Sequence, residues 1–142
     1  MAYLMVPLLI LGVDQLSKGV VRKILPVEGR RDISPRWELW RRENPGFSYG
    51  HFAKHPRAVA VLTSGFCAVL ALCLYRSKTP VERVSLGLVL GGAAGNLADR
   101  LHHGSVTDFL HRKSRRCPVF NVADCAILLG SLLFFAAGSR KG

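Results

Sequence analysis

The sequence predicts an all-α integral membrane protein: four transmembrane helices, with a partly extended loop between the first and the second. Three observations predict it. Hydrophobic residues make up 49% of the 142 residues. They are gathered into four blocks, and mean hydropathy is +0.23, high for a chain meant to stay in water. The blocks are just long enough to cross a bilayer, which takes about 20 apolar residues. Finally, the net charge of +11 sits beside the apolar blocks and not in a polar domain of its own. Basic flanks of that kind meet anionic headgroups. One membrane-embedded domain spanning 1–142 is expected, with helices over about 2–21, 58–75, 81–101 and 119–137.

The first block is apolar through Val13 and then carries Asp14, Gln15 and Lys18. Asp14 and Lys18 are four apart and share a helix face, so they can pair. Taken alone, the segment reads as a charged helix end anchored at the interface. No basic stretch precedes the block and no small-residue cleavage site follows it, so no cleavable signal peptide is expected.

Residues 22–57 form a long polar connection broken by Pro26, Pro35, Pro45 and Gly46. It interleaves arginines with Trp37, Trp40, Phe47, Tyr49 and Phe52. Next to transmembrane segments, this pairing marks an interfacial belt, and here it suggests a clamp over a lipid-bearing substrate. Trp37-Glu38-Leu39-Trp40 alternates weakly, as a strand does.

The second block, Ala58–Tyr75, carries no charge. The third holds Gly87, Gly91 and Gly95, two overlapping G-x-x-x-G spacings that permit close helix packing. Residues 102–118 read as a basic loop whose histidines are solvated. The fourth block is apolar apart from Asn121, Asp124, Ser131 and one of the four cysteines, Cys125. The cysteines lack paired spacing and read as buried free thiols.

The polar residues inside this apolar chain converge. With four spans, Asp14, Lys18, Asn44, Asn96, Asp99, Arg100, Asp108, Asn121 and Asp124 all fall toward the same face of the membrane. Asn96 and Asp99 are three apart, as are Asn121 and Asp124, so each pair shares a helix face. Two carboxylates held close cannot both ionise easily, which supplies a general acid beside a general base. Such a pair hydrolyses amides without metal or cofactor. By spacing alone Asp99, Asp108 and Asp124 are all candidates. Arg100, next to Asp99, argues weakly for an ionised, structural Asp99. A competing reading is a small four-helix proton-coupled transporter or channel with intramembrane aspartates. It accounts for the acids but not for the paired Asn-x-x-Asp blocks. The basic loops also suit nucleic acid, but nothing base-specific supports that partner, and none is expected.

At these residues the chain resembles the lipoprotein signal peptidases, or signal peptidase II. The matching blocks are Asp14-Gln15-x-x-Lys18, Asn44-x-Gly46, Gly91-Gly92-Ala93-x-Gly95-Asn96-x-x-Asp99-Arg100, Val106-x-Asp108-Phe109 and Phe120-Asn121-x-Ala123-Asp124. They run in family order from the first apolar block to the last. The resemblance implies an aspartic endopeptidase of the bacterial cytoplasmic membrane, multi-pass and metal-free, with its active site toward the extracytoplasmic face. It implies Asp108 and Asp124 as the catalytic pair, with Asp14, Lys18, Asn44, Gly46, Asn96, Asp99, Arg100 and Asn121 supporting the site or touching substrate. The implied substrate is a lipid-modified prolipoprotein, cut just before the lipidated cysteine. Membrane lipids and globomycin-type inhibitors are the other implied partners. Three features depart from the family: Phe47-Ser48 after the N-x-G, the strongly basic stretch His111–Cys117, and Cys125 where a small hydroxyl residue is common. Charge pulls the other way on orientation, because Lys and Arg are concentrated on the face that carries the site and would place it in the cytoplasm.

Overall fold

The computed structural model describes residues 2–46 and 54–140. Phe47, Tyr49 and Phe52 of the expected clamp, and the departure at Phe47-Ser48, lie outside the described residues. A single turn at Ala2–Leu4 leads into helix α1 (Met5–Ile24), followed by strands β1 (Arg30–Asp32) and β2 (Trp37–Asn44). Helices α2 (Pro56–Arg76) and α3 (Pro80–His103), strand β3 (Val106–Arg112) and helix α4 (Val122–Ser139) complete the order.

The helices begin and end where local chemistry dictates. Proline opens both α2 and α3, where its missing N–H costs nothing. Thr79 caps α3 by accepting from Glu82 N at 3.2 Å, and Gly104 ends it in the left-handed region at φ 74°. Asn121 caps α4 and Asp124 reaches back to the Asn121 N–H, a reciprocal capping box. That box starts α4 at Val122, so residues 119–121, expected in the helix, instead lead into it.

Helix α3 is central, packed against α1, α2 and α4. The glycine spacings explain how. A Cβ at Gly87 would meet Val6, one at Gly91 would meet Ile10 and Pro7, and one at Gly95 would strike the Asp14 carboxylate. On the opposite side, a Cβ at Gly92 would collide with the Ala123 carbonyl of α4. Close approach of three backbones is thus written into α3. Elsewhere the helices present apolar side chains outward: Leu8, Leu9 and Leu16 on α1, Val61 and Val69 on α2, Leu128 and Phe135 on α4 are all exposed. Such surfaces are stable in lipid and costly in water.

Among the described residues, three helical stretches are long and apolar enough to cross a membrane: Ala2–Ile24, Pro56–Arg76 and Val122–Ser139. Helix α3, with its glycines and polar end, is not among them. The expectation of an all-α chain is also corrected. β1, β2 and β3 form an antiparallel sheet in that order, and β3 occupies much of what the sequence suggested was a basic loop. A bulge between Leu39 and Arg42 shifts the register so that Arg42, not Arg41, lies opposite Asp108. Arg41 turns instead to the end of α1, where its Nη1 donates to Leu25 O at 2.9 Å. Leu39, Val21, Leu25 and Phe109 seal the sheet onto α1.

Two further expectations change. His111 is buried, with Nδ1 2.7 Å from Glu38 Oε1, so it is not solvated. The cysteines are free, but Cys73 and Cys125 are exposed and Cys67 and Cys117 half-buried. Cys73 and Cys125 lie on the outward faces of α2 and α4, whereas Cys67 packs against the Leu70, Val89 and Ala93 cluster.

Candidate active site

The residues singled out from sequence meet at the end of the helices that carries the sheet. Asp14 and Lys18 do pair, with Nζ 2.7 Å from Asp14 Oδ2, but both are fully buried. The interfacial-anchor reading therefore fails. Lys18 also reaches Asp99 Oδ2 at 3.1 Å and donates to Asn96 Oδ1 at 3.1 Å. Three helices are tied to one ammonium, because Asp14 Oδ1 in turn accepts from Ala123 N of α4 at 2.9 Å.

Asp99 belongs to this buried network. Its oxygens also face Arg22 at 3.0 Å, the Gln15 amide at 3.1 Å and Thr107 N at 3.0 Å. Its ion pairs at about 3 Å come from α1, while the neighbouring Arg100 donates from Nη2 to Gly46 O at 2.9 Å.

Asn96 passes the arrangement on. With Oδ1 held by a cation that can only donate, its Nδ2 must face away, and it donates to Asp124 Oδ1 at 3.2 Å. Asn121 is oriented in the same way. Its Oδ1 accepts from Asp124 N at 2.9 Å, so its Nδ2 faces Asp108 Oδ1 at 2.9 Å and Asn96 Oδ1 at 3.1 Å. Asp124 Oδ2 accepts from Asn121 N at 3.1 Å. Asp108 and Asp124, from a strand and a helix, are thus fixed around one pair of amides.

Both carboxylates line a cavity of about 890 Å³. Asn44, Asn96 and Arg100 line it near them, while Leu62, Phe66, Ile127 and Leu128 form an apolar wall. Burial first, and then the nearby Asp124 carboxylate, push the Asp108 carboxyl up to about 7, against hydrogen bonds from Asn44 and Asn121. Asn44 Oδ1 also accepts from Gly46 N at 3.1 Å, which turns the chain at the mouth.

Sequence reasoning missed several residues. Arg22 lies four residues beyond Lys18, so the helical period that paired Asp14 with Lys18 extends to it. Glu43 accepts from Thr107 Oγ1 at 3.1 Å, from Ser105 Oγ at 2.9 Å and from Arg41 Nε at 3.1 Å. It clamps β2 to the strand that carries Asp108, and no local pattern announces it. Among the described residues, no group of three or more His, Cys, Asp or Glu has the arrangement to hold a metal ion.

The fold is shared with solved structures described as bacterial membrane enzymes. A solved structure so described superposes with a TM-score of 0.91 at 20% identity, covering 98% of this chain and 88% of that one. A second gives a TM-score of 0.86 at 20% identity, covering 96% and 91%. Sequence narrows this further: residues 6–139 match the model of the family described as signal peptidase (SPase) II, and the chain belongs to that family. A lipoprotein signal peptidase of Moorella thermoacetica is 40% identical over 137 residues, covering 94% of this chain and 89% of the relative. Another, from Syntrophotalea carbinolica, is 35% identical, covering 98% and 91%.

Proposed function

We propose that this protein removes the signal peptide from diacylglyceryl-modified prolipoproteins, cutting just before the lipidated cysteine, with Asp108 and Asp124 as an aspartic catalytic pair. Family membership supports proteolysis of this class of substrate. The observation that carries the aspartic mechanism is the two carboxylates on one cavity wall, one of them pushed up to about 7. Asp108 enters the cycle protonated and Asp124 ionised. Asp124 takes a proton from water as its oxygen attacks the scissile carbonyl, while Asp108 gives its proton to the carbonyl oxygen. Collapse of the tetrahedral intermediate breaks the C–N bond. The leaving amine takes the proton held on Asp124, the hydroxyl returns its proton to Asp108, and the pair is restored. No metal or cofactor enters the cycle.

Asn96 and Asn121 hold the pair in place, and Asp14, Lys18 and Asp99 hold Asn96. Asn44, Gly46 and Arg100 stand at the mouth, where an extended peptide meets polar groups. The apolar wall of α2 and α4 suits the signal segment and its diacylglyceryl chains, and it would equally take a globomycin-type inhibitor or membrane lipid. The whole chain acts as one membrane-embedded peptidase domain. Its site faces outward from the bacterial cytoplasmic membrane, because the lipid-modified substrate is presented there. The basic residues near the site then serve the sheet and the substrate and do not set topology. Purified protein with a diacylglyceryl prolipoprotein tests the reading: it should release the signal peptide with the lipidated cysteine as the new N-terminus. Cleavage elsewhere, or only of unmodified precursor, would refute it.

A further inference from the structure

Beside the cleft lies a second groove of about 730 Å³ on the sheet, lined by Arg30, Trp40, Arg42, Lys113 and Arg115. We propose that this groove binds acidic side chains in the mature part of the substrate, within a few residues after the scissile bond. The proposal rests on the proteolytic reading above and adds a preference to it.

Continuity is the first argument. Arg42, Pro118 and Val119 line both the groove and the cavity that holds Asp108 and Asp124. An extended chain advances about 3.3 Å per residue, so a peptide crossing the carboxylates enters the groove within a few residues. Polarity sets the direction. The cavity wall of α2 and α4 is apolar, whereas the path past Pro118 and Val119 leads into charge. The hydrophilic half of the substrate, the part retained after cleavage, is the half that fits there.

Charge sets the preference. The Arg30 and Arg42 guanidiniums lie 3.7 Å and 4.9 Å from the Trp40 ring centre, and Trp40 is itself tied to Glu28 Oε2 at 3.0 Å. Stacking on a fixed ring leaves the guanidinium N–H forks at the rim, the geometry that receives a carboxylate. Carboxylates already present answer part of the charge: Glu38 faces Arg30 at 3.3 Å, Glu28 faces Arg42 at 3.6 Å and Asp32 faces Lys113 at 2.8 Å. Arg115 has no acidic partner among the described residues, and the groove is left with an excess of cations. An anionic lipid headgroup would also suit arginines beside a tryptophan, but the shared wall with the catalytic cavity favours the peptide.

The test uses two diacylglyceryl prolipoproteins that differ only at the second and third residues after the cut, Asp-Glu or Asn-Gln. Each is presented in phosphatidylcholine bilayers with and without phosphatidylglycerol. The acidic substrate should be cleaved with a kcat/KM about fivefold higher in phosphatidylcholine, the size expected of a pair of partly exposed ion pairs. Added salt should shrink the ratio. The double variant Lys113→Gln, Arg115→Gln removes the groove's excess charge, because Arg30 and Arg42 keep Glu38 and Glu28 opposite them, and should bring the ratio to about one. Both side chains are exposed, so the thermal midpoint should change little. Equal cleavage of both substrates by the parent protein would overturn this proposal alone, as would a preference that survives the double substitution. Rates that follow phosphatidylglycerol regardless of peptide would give the groove to a headgroup instead. If neither substrate is cleaved, the proteolytic reading falls and takes this one with it.

Discussion

Two pairs of aspartates are linked through Lys18 and Asn96, and their surroundings are opposite. Asp14 and Asp99 are fully buried and held by Lys18 at 2.7 and 3.1 Å, with Arg22 at 3.0 Å from Asp99. Asp108 and Asp124 line a cavity and receive amides. The first pair is paired with cations and closed on all sides, with no exposed surface for water. The second is open, and Asp108 is displaced upward to about 7. On the proposed function, chemistry belongs with the open pair, while the closed pair sets the direction of Asn96 and joins α1, α3 and α4. Asn121 and Asp124 also make the capping box of α4. A cap is a structural device, and here it aims a carboxylate as well.

The sharpest way to break the comparison is to remove the open pair. Asp108→Asn and Asp124→Asn should each lower turnover by about a thousandfold or more, since an amide is neither base nor shared acid. Both variants should still insert and fold, because asparagine has the same shape and keeps one acceptor oxygen at each position. Near-normal turnover in either would remove that residue from the chemistry.

Removing the cation of the closed pair should damage the fold first and chemistry second. Lys18→Met leaves two buried carboxylates with Arg22 as their remaining charge partner, a cost of about 3–5 kcal/mol. It also frees Asn96 to flip, so whatever protein folds should show kcat lowered roughly tenfold to a hundredfold with KM little changed. Lys18→Arg, which keeps the charge, should not restore kcat, because the fork does not fit a site closed on all sides. A variant of normal stability and normal kcat would dissolve the link between the two pairs.

Asp14 separates the same roles more gently. Asp14→Asn keeps an acceptor for Ala123 N but loses the charge beside Lys18. Stability should drop by about 2–3 kcal/mol, with kcat well above that of the Asp108 and Asp124 variants. Equal loss of kcat in a well-folded Asp14 variant would place it among the catalytic residues.

Some of this was readable before any coordinates. The i, i+3 spacing of Asn96 with Asp99 and of Asn121 with Asp124 put each pair on one face, and helix polarity put both at one end. The alternation at Trp37–Trp40 was readable as a strand, and β2 begins there. β3 was not readable: Val106–Phe109 are all buried, so period-two alternation is lost and the basic flank dominates the pattern. His111 looked solvated because its partner, Glu38, lies 73 residues away. The partners of Lys18 were hidden likewise. Helical period shows Asp14, but only the packing of α3 on α1 brings in Asp99 and Asn96.

The upward displacement of Asp108 carries its own signature. Between its ordinary value near 3.8 and about 7, the native protein keeps a proton that the unfolded chain releases. Stability therefore falls as pH rises through that window and levels off above it. Asp108→Asn lacks the titration. Its thermal midpoint should gain on the wild type by roughly 10 °C between about pH 4 and pH 7, then run parallel. Curves parallel throughout would mean that Asp108 is not displaced and the open pair is less coupled than proposed.

The smallest expected effect is none at all, and it sharpens the contrast between donors and acceptors around the open pair. A metal bound there would need lone pairs beyond the two carboxylates. The amides nearest to them offer the opposite. Asn96 points its N–H to Asp124 because Lys18 holds its oxygen. Asn121 points its N–H to Asp108 because Asp124 N holds its oxygen. Turning either amide to ligate a cation would leave an ammonium or a helix N-terminus without its acceptor, in a region where such losses cost about 1–3 kcal/mol or more. Prolonged treatment with EDTA or a zinc-selective chelator should thus leave the cleavage rate unchanged. Activity lost on chelation and restored by one added metal ion would mean that these amides are turned the other way and that the two carboxylates are ligands before they are acid and base.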